Sequence, residues 1–386
     1  MNKQFVIFFG TFVLVYGTAN YYVGMRFLQA FHDLIAISTP LYLIVYIFFA
    51  LTPAISRYSS SYLGGKISVE LNVISAYWMG ITFYAFFLWA LADAFRIAGS
   101  WLGILPSNLS QVSAYWGGTV LALLVVLIIW GSYNARRPVI RHYNVRIAKA
   151  AGDLRRLNAI LVADIHLGPI IGRRRLERMV EMINGLNPDI IFFAGDIIDE
   201  DVEFFINRDM HVVLQRLKPP FGSFAVLGNH EYLGGHADQA VHSLEQAGMT
   251  VLRDNLVNIK DLFYIAGRDD PTCKRMTGIM RKPLADILQT ADASRPMILI
   301  DHQPYDLEPA KKYGVDLMLA GHTHRGQFFP NNLITSRVFE VDWGYLRKGD
   351  LQVIVSCGFG TWGPPLRIGN SPELVHIDIA FDGSRS

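Results

Sequence analysis

Five short clusters of Asp, His and Asn follow apolar runs in this chain. They are Asp164-Ile165-His166, Gly195-Asp196-Ile197-Ile198-Asp199, Gly228-Asn229-His230-Glu231, Asp301-His302 and Gly321-His322-Thr323-His324. Singly, each has an ordinary structural explanation. Asp196 suits a helix N-cap, Gly228-Asn229 suits a turn, and His302 suits a hydrogen-bonded structural histidine. His322 and His324 are more distinctive, because residues two apart in an extended chain point the same way. All five clusters in this order, each after an apolar run, point to metal chemistry. Asp, His and Asn without Cys suit a borderline or harder divalent cation: Mn²⁺, Fe²⁺ or Zn²⁺. Seven potential ligands are too many for one tetrahedral ion and about right for two ions sharing a carboxylate. Two ions about 3.5–4 Å apart clamp the attacking and leaving oxygens of an in-line displacement at phosphorus, and generate hydroxide near neutral pH.

The elements that must position these residues are legible as alternating patterns. Apolar runs at 158–163, 189–194, 223–227, 262–266, 296–300, 315–320, 351–356 and 374–380 read as strands. Helical patterns read at 172–183, 202–217, 237–247, 283–288 and 306–312. The opening β-α-β alternation predicts an α/β domain, and the later strands, with few helices between them, predict a second sheet. Two packed mixed sheets flanked by helices are expected. Ligands of α/β sheets bind beyond the carboxyl ends of the strands, where the five clusters lie.

The ordered set D-I-H, G-D-I-I-D, G-N-H-E, the His302 of D-H-Q-P, and G-H-T-H resembles the signature of calcineurin-like metallophosphoesterases. The resemblance runs from about Ala159 to Ala380, and the tail Ser356–Glu373 is similar to the closing segment of the membrane-associated bacterial branch. It implies an αββα two-sheet sandwich. It also implies that Asp164, His166 and His324 hold one metal, that Asn229, His302 and His322 hold a second, and that Asp196 bridges both. His230 is then the histidine that does not ligate, stabilising the phosphoryl charge or protonating the leaving oxygen, and Asp199 orients it. Arg325 stands where related proteins often have Gly, and Arg268 where an apolar residue is commoner. Because Arg suits bidentate phosphate contact, Arg268, Arg325 and Arg367 are candidate substrate contacts. The loop Phe359–Pro365, with Trp362, is either a packed loop or one that dips toward a membrane surface.

The first third of the chain is of another kind. Of 35 Lys/Arg and 33 Asp/Glu residues, only Lys3, Arg26, Arg57, Lys66, Arg96, Asp33, Glu70 and Asp93 lie within the first 131 positions. Uncharged stretches at 4–25, 34–56, 71–92 and 97–135 each suffice to span a bilayer, which takes roughly 20 apolar residues; the apolar part of the fourth is 112–131. The first is too long for a signal peptide and three more follow, so it is expected to be retained. No span carries a charge at its middle, so anchoring is expected rather than transport. With four spans, Lys3, Arg57, Lys66, Arg136, Arg137, Arg141 and Arg146 fall on one side and only Arg26 and Arg96 on the other. That bias predicts a cytoplasmic catalytic domain on a bacterial inner membrane.

The expected organisation is therefore a four-helix transmembrane anchor (1–131), a basic connector with room for one strand (132–157), and a metallophosphoesterase domain (158–386). The expected activity is hydrolysis of a phosphoester or pyrophosphate by metal-bound hydroxide. The expected cofactors are two divalent ions, Mn²⁺ first, with Fe²⁺ or Zn²⁺ as alternatives. A membrane anchor favours a lipid-linked or amphipathic substrate such as a phospholipid or a nucleotide-diphospho-acylated sugar. A soluble phosphodiester, or a catalytically poor membrane sensor or scaffold, is the alternative. Membrane lipids are expected partners. A net charge of +2 gives no reason to expect nucleic acid. Cys273 and Cys357, far apart in sequence, predict neither a disulfide framework nor a Cys-based metal site.

Overall fold

The computed structural model describes residues 3–34, 38–59, 65–106, 109 and 111–383. Parts of the expected second span (residues 35–37) and of the loop near 57–70 (residues 60–64), and the expected end of the catalytic domain at Ser386, lie outside the described residues. The chain forms two units, Met1–Tyr133 with Gly363–Leu366, and Asn134–Trp362 with Arg367–Ser386.

The first unit is helical: α1 (Lys3–Phe31), α2 (Thr39–Ser59), α3 (Lys66–Trp101) and α4 (Ala114–Ala135). Among the described residues three helices are long and apolar enough to cross a membrane: α2 over Thr39–Arg57, α3 and α4. The expected first span, 4–25, lies inside α1. The expected fourth stretch, 97–135, divides, because its first residues complete α3 and α4 starts only at Ala114. Polar side chains hold the helices together, as they do where apolar faces gain nothing from leaving lipid. Arg26 and Asp93, each one residue beyond an uncharged stretch, meet at 2.8 Å across α1 and α3. The Trp78 indole donates to the Asn20 side chain at 3.0 Å.

Among the described residues the second unit has twelve strands: β1 (Val139–Ile147), β2 (Arg156–Val162), β3 (Ile190–Ala194), β4 (Ser223–Val226), β5 (Met249–Val251), β6 (Asn255–Ile259), β7 (Phe263–Gly267), β8 (Met297–Ile300), β9 (Leu317–Ala320), β10 (Gly344–Lys348), β11 (Leu351–Val355) and β12 (Glu373–Phe381). They form two six-stranded sheets, ordered β1-β12-β2-β3-β4-β5 and β10-β11-β9-β8-β7-β6. β2 through β5 run parallel in the first sheet, as do β7, β8, β9 and β11 in the second. Continuous apolar runs suit parallel strands because both faces are buried. Ala159 and Leu161 of β2 meet Ile298 and Ile300 of β8 in the core between the sheets, while Ile160 and Val162 face an outer helical layer. That layer includes the helix Arg173–Asn184, which buries Leu176, Met179, Val180 and Ile183, one face at helical spacing. Met297 and Leu299 face the outer layer of the second sheet. Mixed sheets with helices outside match the expected architecture.

Several elements differ from expectation. The pattern at 202–217 predicts one helix, but two form, Val202–Asn207 and Met210–Leu214. Asp209 separates them in left-handed backbone (φ 50°), a conformation Asp tolerates better than most residues. The short strands β5, β6 and β10 carry too few apolar residues to stand out in sequence. β1 lies within the segment read as a connector and pairs with β12 over nine positions. As an edge strand it keeps the basic residues that made it look like a linker.

Candidate metal centre

The parallel strands deliver their motifs at their carboxyl ends. Asp164 and His166 follow β2, Asp196 and Asp199 follow β3, and Asn229 and His230 follow β4. In the second sheet, His302 follows β8, and His322 and His324 follow β9. Sharp turns bring them inward. Asp164, His166, Asp196, His322 and His324 all have positive φ, between 47° and 72°. Non-glycine residues held this way each cost of order 1–3 kcal/mol, and such strain concentrates at functional sites. Two glycines make the close approaches possible: a Cβ on Gly228 would collide with the Asp196 carboxylate, and one on Gly321 with that of Asp164.

The side chains converge in two groups. In one, the Nε2 atoms of His166 and His324 face each other at 3.0 Å, and His324 Nε2 lies 3.5 Å from Asp164 Oδ1. In the other, His302 Nε2 lies 3.2 Å from each of Asp196 Oδ2, Asn229 Oδ1 and His322 Nδ1. Asp196 Oδ2 stands between the groups, 3.9 Å from His166 Nε2. His302 Nδ1 donates to the Ala194 carbonyl at 2.7 Å, which leaves Nε2 as the lone-pair nitrogen facing inward. Lone pairs pointing at one another over 3.0–3.2 Å are unfavourable unless a proton or a cation lies between them. Ligands at about 2.1 Å from one ion, at right angles, stand about 3 Å apart, so the donor set fits divalent cations. Asp164-His166-His324, Asp196-His302-His322 and His166-Asp199-His230 are each close enough to hold one ion, and the first two are the groups described above.

The electrostatics agree. Burial raises the Asp164 carboxyl to about 7, with His302 opposing. Burial disfavours ionised Asp196 as well, yet His302 and His230 hold it well below the usual carboxylate range. Burial would keep His302 neutral, but Asp196 raises it well above an ordinary histidine, so this buried pocket draws in positive charge. Burial and then His302 lower His322 to about 3, leaving a neutral imidazole with a lone pair free to ligate.

His230 sits apart from the converging atoms. Its Nδ1 lies 2.8 Å from Asp199 Oδ1, and its ring packs edge-on to His166 with centroids 4.5 Å apart. Burial alone would lower its pKa, and the Asp196 and Asp199 carboxylates overcome this to raise it to about 10. A cavity of about 540 Å³ opens here; Asp196, Asn229, His230, His322 and His324 line it, as do Thr323, Asn331, Thr335 and the apolar Ile334, Phe339 and Trp362.

None of the three arginines lines that cavity. Arg268 pairs with the buried Asp301 at 3.2 Å. Arg325 stacks on Trp343, with its guanidinium carbon 4.0 Å from the ring centre. Arg367 is completely buried behind His324, donating to the Gly360 carbonyl at 2.7 Å with Nη2 3.2 Å from His324 Nδ1. Glu231 was not anticipated as a site residue. Its buried carboxylate accepts from the amides of Gly228 (2.7 Å), Asp196 (3.2 Å), Ile197 (2.7 Å) and Ile198 (2.9 Å), clamping two motif loops together. The signal was present as the acid closing G-N-H-E. Trp362 contributes to the cavity wall, a role neither reading of its loop foresaw. Cys273 and Cys357 are both free and buried.

The family model for calcineurin-like phosphoesterases matches residues 157–326, the stretch that carries all five motifs. An uncharacterized metallophosphoesterase of Aquifex aeolicus is 34% identical over 270 residues, covering 68% of this chain and 100% of that protein. One of Helicobacter pylori strain J99 is 29% identical over 373 residues, covering 95% of this chain and 97% of its own length. A Danio rerio transmembrane protein with metallophosphoesterase domain is 31% identical over 276 residues, or 67% of this chain, which spans 62% of that protein. With the motif residues gathered together and two bacterial relatives matched over 100% and 97% of their length, this chain belongs to the calcineurin-like metallophosphoesterases and is a metal-dependent phosphoesterase.

Proposed function

We propose that the protein is a membrane-anchored dinuclear phosphoesterase that hydrolyses a phosphoester or pyrophosphate of a lipid-linked or amphipathic substrate. The observation that carries this reading is the placement of Asp196 between two groups of converging N and O donors. In this reading Asp164, His166 and His324 hold one ion, Asn229, His302 and His322 the other, and Asp196 contributes to both. Mn²⁺ is the first choice for an Asp/His/Asn set without thiolates. When bound, the ions supply positive charge to the phosphoryl oxygens and lower the pKa of water. The chain's own residues do the rest. His230, held protonated by Asp196 and Asp199, offers its ring proton to the leaving oxygen, and Asp199 fixes the ring through Nδ1. Glu231 keeps the Asp196 and Asn229 loops in register.

The anchor comprises four spans, α1 through α4, with the catalytic unit on the cytoplasmic face of a bacterial inner membrane. The Lys/Arg bias supports that orientation. Proteolysis of right-side-out and inverted vesicles tests it, since cleavage of the catalytic unit in right-side-out vesicles would reverse it. For the centre, protein purified without chelator is expected to carry two equivalents of metal, and Asp196→Ala to lose both together with activity. One equivalent that added Mn²⁺ does not raise to two would overturn the dinuclear reading.

A further inference from the structure

The helix Asn332–Val338 buries none of its residues, whereas each of the other helices described in the catalytic unit buries at least one. Leu333, Ile334 and Val338 are 47%, 61% and 57% exposed. A helix of seven residues has little stability of its own. A polar tie helps hold this one in place: Thr335 Oγ1 donates to Asp342 Oδ2 at 2.7 Å. The apolar side chains are thus displayed by a structure that does not depend on burying them, which marks a binding surface.

That surface is continuous with the metal centre. Ile334 lines the same cavity as His230 and His322, beside Phe339 and Trp362. The Phe339 ring stands edge-on to His322 with centroids 6.1 Å apart, and Tyr305 extends the apolar wall 4.7 Å beyond it. We propose that Leu333, Ile334, Val338, Phe339 and Trp362 form a shelf for the hydrocarbon part of an amphipathic phosphoester whose phosphate reaches the metal-ligating residues. The proposal rests on the phosphoesterase reading above and specifies where the apolar part of the substrate lies. A bilayer is the lesser occupant. Docking on anionic lipid draws on several basic residues, and this helix carries only Arg337, whose guanidinium turns back to the Leu333 carbonyl at 2.5 Å.

The test is calorimetric binding of ethyl phosphate and decyl phosphate, both kept monomeric, to the full chain in nanodiscs with Mn²⁺, with empty nanodiscs as the blank. A buried methylene contributes about a fourfold factor in affinity. Decyl phosphate, with part of its chain covered, is therefore expected to bind at least about tenfold tighter than ethyl phosphate. Leu333→Gln, Ile334→Gln and Val338→Gln combined should bring the ratio close to one, while Ile334→Leu alone should keep it. Equal wild-type affinities, or a preference that survives the triple substitution, would overturn the shelf and leave the phosphoesterase reading standing. Failure of both alkyl phosphates to bind the metal-loaded protein would sink the phosphoesterase reading, and the shelf with it.

Discussion

The polar wall formed by the metal centre and the apolar wall that lines its cavity are built on opposite principles. On the polar wall, several side chains are held from behind. His302 is fixed by the Ala194 carbonyl, Asp164 by the His322 amide at 2.9 Å, and the Asp196 loop by Glu231. Its loops adopt strained backbone, and its glycines leave no room for a methyl group. On the apolar wall, Ile334 and Trp362 are about half exposed or more, and the helix that carries Ile334 is held in part by a polar tie. The contrast shows where tolerance must differ. The first wall must hold lone pairs in place to a few tenths of an ångström. The second needs only area, because hydrophobic contact has no direction.

Three substitutions probe that contrast, beginning with the largest effect. His230→Ala is expected to lower kcat by about 10²–10⁴-fold while leaving metal content intact, since His230 stands beside the converging donors and not among them. Loss of metal in this variant, read by elemental analysis, would move His230 into the ligand set. Arg367→Met comes next. Its guanidinium holds the loop behind His324, so metal affinity should fall by about 10–100-fold, as when the supports of a ligand are removed. KM measured at saturating metal should stay unchanged; a raised KM with normal metal titration would instead make Arg367 a substrate contact. Arg325→Ala should be the mildest. A cation–π contact of about 0.5–1 kcal/mol is lost from Trp343, so thermal unfolding should show a small decrease and kcat/KM should stay within about twofold. A fall of tenfold or more in kcat/KM would return Arg325 to the substrate.

The arginines show which partners a sequence does not name. An Arg beside a motif has the right chemistry for phosphate, but a long flexible side chain reaches whichever partner folding supplies. Arg268 found Asp301, thirty-three residues away, and Arg325 found Trp343. Nothing local in the sequence pairs either arginine with its partner.

What the sequence determined by itself was the polar wall. Apolar runs that end in Asp, His or Asn specify both a buried parallel strand and the residue emerging at its carboxyl end, and those two facts are local. Three helices long and apolar enough to cross a membrane were legible for the same reason, because the need to satisfy backbone hydrogen bonds in lipid leaves a long apolar helix as the simplest solution. The extents of α3 and α4, the break at Asp209, the edge strand β1 and the clamp of Glu231 across two loops were decided by contacts between distant parts of the chain. So was the apolar shelf. Leu333, Ile334 and Val338 look in sequence like any short core segment, and only the packing of the whole unit leaves them exposed beside the centre. Burial is a property of what lies opposite a side chain, and that becomes defined only when the two sheets close on each other.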